Sequence, residues 1–137
     1  MAMNKQQRAY ALAKARYEAA CDAEKAAEAE YIKRHGLRND DGTVPAAIYA
    51  IKCTDERFEE ILQEMDQNGE LHAVDMERTE ATLALHKAEE ALIEYGLALL
   101  PKKEAATLRR AKDRPKYRQQ IIDLTFRLDT RTVRRGA

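Results

Sequence analysis

From Leu71 to Leu99, alternating steps of three and four residues pass through Leu71, Val74, Arg78, Ala81, Leu85, Ala88, Leu92, Tyr95 and Leu99. A stripe of that period, sustained over about four heptads with Glu77, Glu80, Glu89 and Glu94 lying off it, specifies a helix with one buried seam. Such a helix draws its stability from whatever covers the seam, so the rest of the chain must supply a partner.

The segment from Asn4 to Arg34 is the natural candidate. It lacks Gly and Pro, is rich in Ala, and carries its own stripe of Tyr10, Ala13, Tyr17, Ala20, Glu24, Ala27 and Tyr31. At 1.5 Å per residue it is ~45 Å long, matching the helix expected from 70 to 100. Laid antiparallel so that residue numbers sum to 105, the two stripes alternate large with small: Tyr17 meets Ala88, Ala20 meets Leu85, Ala13 meets Leu92 and Tyr31 meets Val74. In that register the only charges on either stripe, Glu24 and Arg78, fall in neighbouring layers, where a shared ion pair fixes alignment.

The connections are short and readable. Gly36 stands at a left-handed helix end, and Asn39-Asp40-Asp41-Gly42 is a turn. Thr43 and Pro45 read as the cap and first turn of a short apolar helix. Thr54 caps another helix, with Phe58, Ile61, Leu62 and Met65 on one face, ended by Asn68-Gly69. Pro101 breaks the central helix or begins the next one, and Asp113 with Pro115 starts the last, whose apolar face is Tyr117, Ile121, Leu124 and Leu128. The expected fold class is all-α: a long antiparallel coiled-coil helical hairpin with short capping helices and a basic C-terminal helix. Helices are expected near 4–34, 45–52, 54–68, 70–100, 102–112 and 114–129, with a mobile basic tail at 130–137, in a single elongated domain. A chain of 137 residues with 45% hydrophobic and 35% charged residues, 5 Gly and 3 Pro fits that architecture better than a globule.

The formal net charge of zero conceals a polarity. Residues 1–53 carry nine Lys/Arg against seven Asp/Glu, residues 54–100 carry three against thirteen, and residues 101–137 carry twelve against four. Opposite blocks of this size attract within one fold or between two copies. No apolar run approaches the ~18 residues of a membrane span and the first ten residues are polar, so a cytoplasmic protein without a membrane partner is expected. Cys21 and Cys53 have no disulfide or metal spacing and read as small buried or half-buried hydrophobes.

No catalytic or cofactor constellation emerges. The histidines His35, His72 and His86 lack metal-site spacing, and the pair of His86 with Glu90 has no second ligand motif beside it. Asp66, Asn68, Glu70 and Glu77 match positions 1, 3, 5 and 12 of a calcium loop, but Leu71 occupies the position that demands Gly. A helix-turn-helix reading of 45–65 fails on charge, because its second helix exposes Asp55, Glu56, Glu59, Glu60 and Glu64 to the phosphates it would have to approach. Two surfaces remain. The acidic one, those five residues, suits a basic protein partner and makes the chain a non-enzymatic adaptor or inhibitor, with self-association through the seam as a further expectation. The basic one comprises Lys102, Lys103, Arg109, Arg110, Lys112, Arg114, Lys116, Arg118, Arg134 and Arg135, with Tyr117 to stack on a base, and is the alternative: a nucleic-acid contact. Size and helical composition also match those of small accessory proteins of phages and mobile elements, an analogy of shape alone.

Overall fold

The computed structural model of the chain describes residues 3–111 and 115–136, with the side chains of 111, 117 and 128–136 outside the description. Every regular element among the described residues is helical. The α-helices are α1 (Lys5–His35), α2 (Asp55–Asn68), α3 (His72–Ala98), α4 (Lys102–Ala111) and α5 (Pro115–Gly136), with one 3-10 turn at Ile48–Ala50. No helix of the described residues is long and apolar enough to cross a membrane. The chain divides into two compact units, one of residues 1–15 and 83–137 and the other of residues 16–82, so α1 and α3 each contribute to both.

In the first unit the start of α1 is fixed by a reciprocal cap: Asn4 Oδ1 accepts from the Gln7 backbone N–H at 2.8 Å, and Gln7 Oε1 accepts from Asn4 N–H at 3.0 Å. The core joins Tyr10, Leu92, Ile93, Leu97, Ile121 and Ile122, with Leu85, Leu108 and Phe126 packed on it. The Tyr10 and Phe126 rings meet tilted, centroids 6.4 Å apart. Gly96 makes the approach of α5 to α3 possible. A Cβ built on it would overlap the Thr125 Cγ2 methyl, and Thr125 is wholly buried, its hydroxyl donating to the Ile122 carbonyl at 2.6 Å.

In the second unit α1 ends in a Schellman motif. Leu37 N–H reaches Ile32 O at 3.0 Å, Gly36 N–H reaches Lys33 O at 3.3 Å, and Gly36 takes φ 61°. Leu37 and Ile32 then join Tyr31, Ile48, Ile51 and Ile61 in a core under which Met65 and Leu71 also lie. Thr54 caps α2 through its hydroxyl, which accepts from Arg57 N–H at 3.3 Å, and Gly69 closes it at φ 64°.

Two expected elements differ. The helix at 45–52 is only the 3-10 turn Ile48–Ala50, because Thr43 is not free to cap. Its backbone N–H and hydroxyl both donate to Asp41, and Asn39 ties the loop together by donating to Thr43 Oγ1 at 2.9 Å and accepting from Lys52 N–H at 2.7 Å. Ile48 and Ile51, three apart, still reach the core. At the other end, α5 extends past the expected 129: its backbone is helical to Gly136, and neither Pro nor Gly interrupts the sequence between Pro115 and Gly136. The cap expected at Asp113 lies outside the described residues.

Candidate functional site

The stripe expected on α1 is covered along its length: Tyr10, Ala20 and Tyr31 are buried, and Ala13, Tyr17, Glu24 and Ala27 are half-buried. Within the second unit α1 and α3 are joined by ion pairs. Arg16 forks onto Glu77, with Nε donating to Oε1 at 2.7 Å, and reaches Glu80 at 3.4 Å. The two seam charges meet as the register required, Arg78 Nε donating to Glu24 Oε2 at 2.6 Å while its Nη2 reaches Asp75 at 3.3 Å. Glu24, through the hydrogen bond first and its charge second, holds the Arg78 guanidinium pKa above its ordinary value. Arg34 and His35 both contact Glu70, at 3.1 and 2.9 Å.

The five carboxylates assigned to the acidic surface, Asp55, Glu56, Glu59, Glu60 and Glu64, are all exposed on α2. None has an ion-pair partner among the described residues. Glu56, Glu60 and Glu64 stand at i, i+4 and i+8, a like-charge stripe that weakens the helix by ~0.2–0.5 kcal/mol per neighbouring pair.

On the side of α2 that carries Leu62 and Asp66, in line with Asp55 and Glu59, opens a groove of about 850 Å³ that sequence reasoning did not find. Leu62, Met65, Leu71 and Val74 form its apolar lining, and Tyr49, on the 3-10 turn, stands at its lip 82% exposed. Leu62 was expected to face inward with Ile61, yet it remains 43% exposed here. Four carboxylates, Glu24, Glu28, Asp66 and Asp75, line the groove, and no Lys or Arg does. Glu24 and Asp75 are answered by Arg78, which leaves Glu28 and Asp66 without an ion pair among the described residues. Burial pushes the Glu28 carboxyl pKa up, with the Ile48 backbone N–H acting in the opposite sense. The sequence signal for the groove is the Tyr-containing apolar run Ile48-Tyr49-Ala50-Ile51, which reads as part of a short apolar helix.

The basic set is divided. Arg118, its side chain only 15% exposed, clamps Glu90 at 2.6 Å and Glu89 at 3.1 Å, and these bonds, Glu90's first, raise its pKa further. Arg109 pairs with Glu94 at 3.0 Å. Lys102, Lys103, Arg110 and Lys116 are exposed and have no ion pair among the described residues. Lys112 and Arg114 lie outside the described residues, as do the side chains of Tyr117, Arg134 and Arg135.

Among the described residues no group of three or more His, Cys, Asp or Glu is placed to hold a metal ion. Cys21 and Cys53 are free and half-buried. No family model, curated protein or solved structure matches the chain. Its class is therefore defined by its own structure: an all-α chain of two helical units, one bearing an unanswered acidic face beside an apolar groove.

Proposed function

We propose that the chain is a non-enzymatic helical interaction protein, an adaptor or inhibitor, that binds a basic protein partner through the acidic face of the second unit. The observation that carries this reading is the stripe Glu56, Glu60 and Glu64, with Asp55 and Glu59 beside it, exposed and unanswered by any described cation. Sequences keep locally unfavourable charge arrangements where function requires them, and a dense row of carboxylates steers and selects a positively charged partner. The α1–α3 pairing is read as an antiparallel coiled-coil hairpin that presents this face, with self-association through its seam as a further property.

The test is affinity capture of the tagged chain from lysate of its native host, run beside a Glu59→Lys/Glu60→Lys/Glu64→Lys variant, each half with and without nuclease. A stoichiometric protein that survives nuclease and is lost from the variant supports the reading. A protein set unchanged by the substitutions overturns it. The second reading, a nucleic-acid contact, rests on Lys102, Lys103, Arg110 and Lys116, which are exposed without an ion pair among the described residues. It predicts recovery of nucleic acid with a steep dependence on salt.

A further inference from the structure

We infer that the groove of the second unit seats a basic amphipathic helix of the partner, whose apolar stripe enters between Leu62 and Val74 while its Lys and Arg side chains meet the carboxylates of the lining. The inference rests on the acidic-surface reading and adds to it the shape and pattern of what is bound.

Three features of the groove select this occupant. The first is charge: its lining carries four carboxylates and no Lys or Arg, and Glu28 on α1 and Asp66 on α2 have no ion-pair partner among the described residues. A purely apolar segment would leave them facing it; a segment with cations flanking an apolar stripe satisfies them. Size is the second. About 850 Å³ corresponds to a helix with side chains over roughly two turns at a diameter of ~10 Å. Length is the third, because the acidic wall continues past the groove. Asp66, Leu62, Glu59 and Asp55 lie at helical spacing along one side of α2, which carries the wall ~10 Å past Leu62, a length that suits an extended segment better than a compact small molecule.

Tyr49 and Leu62 supply the means of test. An aromatic ring at the lip of an apolar groove is the kind of residue on which interface energy concentrates. Because the ring is 82% exposed and Leu62 43% exposed, Tyr49→Ala and Leu62→Ser remove contact surface without emptying the core.

The experiment uses the full chain and two fluorescent peptides of identical Lys/Leu composition. In one the leucines recur at i, i+3, i+4 and i+7; in the other they are shuffled so that no stripe forms. Anisotropy titrations are expected to show the striped peptide binding about tenfold or more tightly than the shuffled one. Tyr49→Ala and Leu62→Ser should each weaken the striped peptide about fivefold or more and leave the shuffled peptide unchanged. Equal binding of the two peptides, or indifference of the striped one to both substitutions, overturns the groove as the seat. If equal binding of both peptides is then abolished by Glu59→Lys/Glu60→Lys/Glu64→Lys, the acidic-surface reading survives and the groove falls alone. Absence of binding by either peptide at low salt overturns both.

Discussion

In the unit formed by residues 1–15 and 83–137, the acidic side chains of α3 are answered: Arg118 grips Glu89 and Glu90, and Arg109 takes Glu94. In the unit formed by residues 16–82, the carboxylates that link α1 to α3 are answered in the same way by Arg16 and Arg78, but those of α2 are not. The difference separates acidic residues that hold the fold from acidic residues that the fold merely displays. A carboxylate with a half-buried arginine against it is structural; in the α2 row, Glu56 in the first turn is favoured by the helix dipole, while Glu60 and Glu64 stand in open solvent where their repulsion at i, i+4 costs the helix a little stability.

The first unit also tolerates less. Replacing Gly96 by Ala places a methyl on the buried Thr125 side chain, and overpacking of this kind costs about 1–3 kcal/mol. Hydrogen exchange should show protection falling first along 92–97 of α3 and 121–125 of α5, with the amides around Ile61 in α2 as the reference. Equal loss in both places would break the contrast between the units. Arg118→Gln is expected to come next, at about 1–3 kcal/mol in urea unfolding, since it removes the two short hydrogen bonds that the guanidinium donates to Glu89 and Glu90. Adding Glu90→Gln should recover part of that loss. Glu24→Arg should destabilise by about 1 kcal/mol, and the swap Glu24→Arg with Arg78→Glu should recover some of it. Simple additivity would show that the pair does not set the register of α1 against α3. The smallest effect has the opposite sign: Glu60→Lys should raise stability by a few tenths of a kcal/mol, because it relieves repulsion from Glu56 and Glu64. A clear loss would mean that the α2 face is structural after all.

Much of this architecture was legible in the sequence, for identifiable reasons. Local chemistry marks helix ends, so Gly36, Thr54 and Gly69 appeared where they cap. The seam charges Glu24 and Arg78 fell into adjacent layers by counting alone, and they are in contact. The stripe of α3 was read as a single seam, however, and burial extends to Ile93, Gly96 and Leu97 beside it. A heptad repeat encodes one covered side, whereas in the first unit α5 packs on α3 at Gly96, a contact with no periodic signature in the sequence. The turn at 39–42 is where the sequence puts it, but the helix expected at 45–52 is not, because Thr43 has the composition of a cap while its hydroxyl is claimed by Asp41, two residues away. The acidic face was read correctly as exposed, since it needs only helical spacing. The groove was not, because it depends on where the 3-10 turn sets Tyr49 against residues of α1, α2 and α3.

The glycines of the chain divide by handedness as well. Gly36, Gly42 and Gly69 take positive φ, and nothing lies within 4 Å of where an L residue's Cβ would stand. What they exclude is therefore not bulk but L chirality. A synthetic chain with D-alanine at Gly36 or Gly69 would keep the same turn while narrowing the unfolded ensemble, a gain of about 0.4–1 kcal/mol. Gly96 is the converse: its backbone accepts the L configuration and its surroundings refuse the methyl, so mirror-image chemistry that strengthens the turns offers nothing at the helix contact.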